Sequence, residues 1–419
     1  MSWSLNGITV GVSFDFSNGA TFGYSFIIGD PAHGILGTNT LADVASDIVD
    51  ISDQVSSISV AGGYNLLQDQ FQVAQAKIRV IDADGAWNPT NPASPYYGKL
   101  VPNRKMRVFA TYAGTTTFLF SGYTQAYDYS YPKDQTIGYV DITCADAFRL
   151  YQLTNVIAVT GQAAGQDCGT RLNKILDTIQ WPTSLRSITT GGTPTLQADP
   201  GTIRTALDAL KMVEFTGQGG FYINGEGDAV YKTRTQIQKT NGANPTYFSN
   251  AGDGIGYKTI KFALDDKLII NQSNIQNIGG VMQSVIDVTS AAKYFPHTYT
   301  QQKVLAQTDA DALDIARIYT ATRKDTTIRI DSLVLDLATP DYAAGITAAL
   351  TMDYFNTAKI KNVGQDGTII EKTLQVMGTA YDITPNSFAV TLTTSETISE
   401  AFIIGSTTFG IIGQSMMTY

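Results

Sequence analysis

The 419-residue chain carries 28 basic and 37 acidic side chains, a formal net charge of -9, and only 16% of its residues are charged. That length is too great for one core and predicts two to four domains, while the composition excludes a coiled coil and a disordered tail. The acidic balance also excludes a basic footprint for gripping a nucleic-acid backbone, so DNA would slide past such a surface without specific binding. The 38 Gly, 22 Tyr and 18 Phe, with many Thr and Val, lean towards β structure.

The first residues, Met1-Ser-Trp-Ser-Leu-Asn6, lack a basic region followed by an apolar one, which predicts no secretory signal. No apolar run approaches the roughly 18 residues that a membrane span needs. The expectation is a soluble chain made in a cytoplasm, with no membrane span. Further on, Ser25-Phe-Ile-Ile-Gly29 and Gly34-Ile-Leu-Gly37 have a counterpart at the other end in Ala401-Phe-Ile-Ile-Gly405 and Gly410-Ile-Ile-Gly413. Each copy reads as two short strands with glycines where side chains would clash. Phe26, Ile27, Ile28, Ile35 and Leu36 in one copy, and Phe402, Ile403, Ile404, Ile411 and Ile412 in the other, make the contiguous apolar surface that a partner usually buries. Residues 1–44 and 396–419 are therefore read as glycine-rich interface segments.

A first β module is predicted over 45–152. Residues 55–60 and Gln72-Val-Ala-Gln-Ala-Lys-Ile-Arg-Val-Ile81 read as strands, followed by a loop over 82–98 that is packed with turn formers. Asp82 and Asp84 before Gly85 suggest a calcium loop only superficially, because the run turns to Pro and Tyr instead of supplying further oxygen ligands. An aromatic-anchored excursion is expected, with no metal and no cofactor. The stretch 107–146 then reads as a hairpin: Phe118-Leu-Phe-Ser-Gly122, Ala126-Tyr-Asp-Tyr129, a polar turn, and Tyr139-Val-Asp-Ile-Thr-Cys-Ala-Asp146. Its period-two alternation marks strands with one buried face.

A small α/β middle domain is predicted over 153–250. Leu172, Ile175, Leu176 and Ile179 share one helical face within 165–179, and Trp181-Pro182 ends that helix. A second helix is predicted over 203–213, followed by a hairpin turning at Asn224-Gly225. A second β module is predicted over 251–395, interrupted by a helix at 308–323 that Thr308-Asp-Ala-Asp311 opens with capping-box spacing. Thr373-Leu-Gln-Val-Met-Gly378, Ala380-Tyr-Asp-Ile383 and Phe388-Ala-Val-Thr-Leu-Thr-Thr394 echo the first hairpin, aligning Gly122 with Gly378 and Ala126 with Ala380.

Chemistry is sparse. His33 and His297 are far apart, Cys144 and Cys168 read as reduced structural thiols, and no HExxH, GxSxG, CxxC or Walker pattern occurs. Paired carboxylates such as Asp265-Asp266 and Asp309 with Asp311 fit turns and helix N-termini. The chain is expected not to be an enzyme and to have no catalytic residues.

Ile81-Asp-Ala-Asp-Gly-Ala-Trp-Asn-Pro89, Ser94-Pro-Tyr-Tyr-Gly-Lys-Leu100 and Arg107-Val108 resemble minor tail proteins of long-tailed phages that infect actinobacteria. Arg171-Leu-Asn-Lys-Ile-Leu176, Ala206-Leu-Asp-Ala-Leu210, Gly220-Phe-Tyr-Ile-Asn224 and Val230-Tyr-Lys-Thr-Arg234, in that order, are similar to the middle of the tail hub, or tail-associated (baseplate hub-like), family. The likeness covers most of residues 45–395, and the glycine-rich ends lie outside it. It implies a mainly β fold with an α/β insert: two related antiparallel β-barrel modules flanking a small α+β middle region. It also implies a virion protein of the tail tip, assembled in the host cytoplasm. That protein would be a homotrimer whose six barrels match a sixfold tail tube to a threefold tip. Expected partners are the distal tail ring or tube, the tape measure, and tip or receptor-binding proteins. The alternatives are a hexameric distal tail ring protein, with one barrel per chain, and a tail-associated wall hydrolase or carbohydrate-binding module, which would need a carboxylate pair in a cleft.

Overall fold

Period-two burial builds most of the molecule, a computed structural model that describes residues 3–17, 47–131, 133, 137–192, 194–239 and 244–396. In Gln75–Asp82 every second side chain, Ala76, Ile78, Val80 and Asp82, is buried while those between are exposed. Such strands make one curled, half-barrel sheet of 15 strands.

Twelve of these strands fall into two sets. The first comprises β1 (Ile8–Asp15), β2 (Val55–Asn65), β3 (Gln75–Asp82), β4 (Lys105–Tyr112), β5 (Thr115–Ser130) and β6 (Gly138–Ala145), bonded in the order β1-β4-β5-β6-β3-β2. The second comprises β7 (Thr246–Ser249), β8 (Thr259–Ala263), β9 (Arg329–Asp336), β10 (Thr357–Val363), β11 (Ile369–Thr384) and β12 (Ser387–Glu396), in the order β7-β10-β11-β12-β9-β8. The two orders are the same. They differ in one pairing, since β1 runs antiparallel to β4 whereas β7 runs parallel to β10. Within neither set do the outermost strands bond to each other, so among the described residues each set is an open sheet and not a hydrogen-bonded barrel.

Local details recur as well. Asn103 and Phe355 hold φ of 65° and 69°, and their N–H groups donate to Thr124 O at 2.7 Å and Val376 O at 2.8 Å. A bulge follows each, at Gln125 and at Met377. Thr124 therefore corresponds to Val376, and Ala126 to Gly378. The alignment of Gly122 with Gly378 and of Ala126 with Ala380, read from the sequence, is out of register: the bulge sets the equivalence, and the repeated Ala-Tyr-Asp does not mark it.

The two sets meet where β2 runs antiparallel to the second half of β11, from Ile58 opposite Ile383 to Gly63 opposite Gly378. Ile58, Val60, Tyr381 and Ile383 turn inwards, and both sets contribute to a single apolar core. On the outer face Ser59 Oγ donates to Asp382 Oδ1 at 2.9 Å. At the end of the ladder the backbones nearly touch: a Cβ on Gly63, whose φ is +153°, would lie 2.5 Å from Gly378 Cα. No other residue fits there without moving a strand.

Two small α/β units hang from this sheet, each with its own core. The first contains α1 (Cys168–Thr178), capped by Asp167, and α2 (Ala206–Gly217), capped by Thr205. The Thr205 cap leaves Ile203 outside the helix and exposed, so the second helix starts and ends later than the sequence reading placed it. The hairpin of Gly220–Ile223 with Ala229–Lys232 turns through 224–228, and Asn224 Oδ1 accepts from Asp228 N at 2.8 Å. This replaces the expected two-residue turn because the loop docks on β5, where Ser121 Oγ donates to Gly225 O at 2.7 Å. In the second unit Gln272–Asn277 pairs with Gln283–Ile286 and Thr298–Val304, beside α3 (Asp309–Arg323). The Thr308 capping box is complete, with both reciprocal bonds to Asp311 in place. A fourth helix, α4 (Ala343–Thr351), lacks a side-chain cap at Tyr342, which is why no start signal marks it.

Asp69, at the turn that follows β2, makes a two-pronged pair with Arg323 at the end of α3, one contact being 2.7 Å. The Asp69 side chain is 1% exposed. Burial opposes the Arg323 charge, yet the Asp69 carboxylate beside it outweighs that and leaves its pKa raised.

Gly63→Ala should lower the unfolding free energy by about 2 kcal/mol or more in urea titrations. Gly256→Ala, where an added Cβ meets nothing within 4 Å, should stay within about 0.5 kcal/mol. Asp69→Asn should cost roughly 3 kcal/mol by leaving Arg323 uncompensated, and adding Arg323→Met should restore much of it. Equal losses in the single and double variants would refute that pairing.

Candidate functional site

The candidate metal loop is built around its aromatics. Trp87 is fully buried against Phe14 and Tyr96, and its Nε1 donates to Gln54 Oε1 at 2.7 Å. Asp82 holds the loop rather than presenting itself to an ion: Oδ1 accepts from Trp87 N at 3.1 Å and Oδ2 from the Tyr131 hydroxyl at 3.0 Å. Asp84 is exposed. No group of three or more metal-type ligands gathers among the described residues.

Burial, not reactivity, governs the thiols. Cys144 and Cys168 are both buried and free, and desolvation pushes the Cys168 thiol up to about 12 and that of Cys144 higher still. His297 is fixed by its backbone N–H to Asn271 Oδ1 at 2.7 Å, with Nε2 3.1 Å from Tyr294 O.

A cavity of about 310 Å³ opens between the second β set and both α/β units. Four of its five carboxylates are held in close ion pairs, and the fifth, Asp325, is exposed and 3.8 Å from Lys293. Asp69 faces Arg323, Glu214 meets Lys211 at 2.8 Å, Asp265 meets Arg329 at 2.9 Å, and Glu396 meets Lys372 at 2.5 Å. Arg329 holds Asp265 below the usual carboxylate range, and Lys372 and Thr327 do the same for Glu396 against the upward push of partial burial. Burial raises Glu214, but its two oxygens are held by Lys211 and by Phe221 N. A glycosidase pair needs one free acid and one free base, and of these five only Asp325 is loosely held. Asp146, pushed up to about 7 by full burial, accepts from Ala74 N and Phe148 N and ties the first β set to the first α/β unit.

What the arrangement offers instead is edges. β8 ends the strand path, and β5 bonds to β4 only as far as Tyr123 while β6 accompanies it to Ser130. Among the described residues, the outer edge of β8 and, beyond Gln125, the edge of β5 that faces away from β6 have no strand partner. Sequence reasoning missed both edges, since pairing partners are not written in a strand's own alternation. The ten residues singled out as an interface, Phe26, Ile27, Ile28, Ile35, Leu36, Phe402, Ile403, Ile404, Ile411 and Ile412, lie outside the described residues, as does His33.

No family model matches the sequence, and no curated protein matches it. Solved structures do. The 43 kDa tail protein of prophage MuSo2 from Shewanella oneidensis overlays with a TM-score of 0.56 at 12% identity, covering 82% of this chain and 95% of that one. A tail protein from Neisseria meningitidis MC58 overlays at 0.58 and 10% identity, covering 93% and 96%. An Escherichia coli component of the type VI secretion system overlays at 0.43 and 10% identity, covering 82% and 73%. Identities this low speak to architecture alone: over nearly its whole described length the chain has the fold of phage tail proteins.

Proposed function

We propose that the chain is a structural protein of a phage tail tip, a hub that caps the distal tail tube, organises tip assembly and surrounds the DNA exit channel. The observation that carries this reading is the repeated strand order. If each β set acts as one barrel-like module, a homotrimer supplies six modules in a ring and joins a sixfold tube to a threefold tip. A distal ring protein with one module per chain has no need of the repeat. The likeness to two tail proteins over most of their length supports a virion role, and the ion pairing of four of the five cavity carboxylates weighs against a wall hydrolase.

In this reading the two β sets, Ile8–Asp15 and Thr246–Ser249 included, form the ring, the two α/β units extend from it, and the glycine-rich apolar runs 25–37 and 401–413 are contact segments for neighbouring tail proteins. The net charge of -9 suits a channel that DNA passes without specific contact.

Light scattering on the purified chain should give three times its 45.1 kDa mass. Antibody labelling of virions should mark the distal tip. A monomer at tens of micromolar, or label along the whole tube, would overturn the hub. Deleting residues 400–419 should leave circular dichroism and melting unchanged while impairing assembly; a misfolded truncation would instead put that end in a core.

A further inference from the structure

The joint between the two β sets has a counterpart that the single chain leaves open. One rung runs across the first set through Ala126, Thr143, Lys77 and Ser59, and its equivalent crosses the second through Gly378, Thr393, Ser332 and Lys261. β8 thus stands in the second set where β2 stands in the first. Likewise the half of β5 beyond its bulge stands where the second half of β11 stands. Within the chain β2 bonds to β11. The remaining pair, β8 and β5, consists of the two open edges described above.

We infer that β8 of one copy adds antiparallel to the open half of β5 in a second copy, so that the joint inside the chain is repeated between chains. This deepens the hub reading and rests on its homo-oligomer. The contact joins two different patches, so it is head-to-tail and generates a ring when its rotation closes. Transferring the register of the inner joint puts Lys261 opposite Ser130, Phe262 opposite Tyr129, Ala263 opposite Asp128 and Leu264 opposite Tyr127.

The side chains support this register independently. In the inner joint the inward row, Ile58 and Val60 with Tyr381 and Ile383, is 2–6% exposed. The equivalent row in the open edges, Ile260 and Phe262 with Tyr129 and Tyr131, is apolar too, but unfinished: Ile260, Phe262 and Tyr129 are half-buried against the same core, Tyr131 is 53% exposed, and one step along the same face Tyr127 is half-buried and Leu264 66% exposed. The transferred register meets apolar with apolar on that face, and a slip of one residue would turn the row outwards. On the other face Asp128 falls diagonal to Lys261, an opposite-charge pair within reach, where the inner joint has Ser59 and Asp382. A lysine on an edge strand also blocks random pairing, so the acidic partner makes the contact selective.

The test uses Ser130→Cys and Lys261→Cys. Both positions are exposed in the chain, and the two native thiols are buried. After mild oxidation the double variant should form a covalent ladder ending at the mass of the native assembly. An equal mixture of the two single variants should stop at dimers, and neither single variant should cross-link alone. A Ser59→Cys/Asp382→Cys variant serves as the control, closing within one chain. Self-linking of Lys261→Cys alone would mean edge-to-edge β8 pairing and would overturn the proposal. An oligomer with no cross-link would overturn the joint and leave the hub standing. A chain that remains monomeric at every concentration would sink both.

Discussion

The pairing of β2 with β11 is the contact on which the rest depends. Without it the chain is two open sheets, each exposing an apolar face and a row of unsatisfied backbone groups. With it, Ile58, Val60, Tyr381 and Ile383 close one core across both sets. Apolar burial of that kind contributes on the order of 1.5–3 kcal/mol per large side chain, and the ladder satisfies the backbone groups buried with it. The contact between Gly63 and Gly378 is the geometric condition for this closure, because the strands cross where only hydrogen can stand between them.

The two α/β units are attached to the sheet in two different ways. The first packs its aromatics on the sheet, with Tyr222 against Phe71 and with Tyr123 and Met377 in the same core, and Asp146 accepts from two backbone amides there; the second carries the buried Asp69–Arg323 pair. Buried pairs add little net stability over a well-packed apolar contact, but they tolerate only one arrangement, and loss of one partner leaves a charge without compensation. Apolar contacts thus set the strength of the sheet and of its seam with the first unit, and the Asp69–Arg323 pair sets how the second unit sits.

Much of this was legible in the sequence, and the omissions share a cause. Alternation found Gln75–Asp82 and Gly138–Ala145, and helical spacing with cap chemistry found α1 and α3, because those signals are local. The duplication was legible as an echo, yet its register was not: Gln125 and Met377 bulge for reasons of pairing, and a repeated Ala-Tyr-Asp pointed two residues away. The Asn224-Gly225 turn failed in the same manner, its loop being drawn out by a contact with β5 far away in the chain. The anchoring of the 82–98 loop by its aromatics was readable, whereas the open edges were not, since an edge is defined by what does not pair with it.

The distance along the chain between the two halves of the joint has a consequence during synthesis. Ser59 and Asp382, which bond across it, are 323 residues apart. At ordinary translation rates β2 therefore emerges on the order of 15–60 s before β11 exists. Throughout that interval the nascent first set holds a finished edge with no partner, and on a polysome the first β11 to arrive can belong to a neighbouring chain. The fold thus carries a kinetic hazard of strand exchange between nascent copies, which slow elongation would worsen and a holding chaperone would relieve.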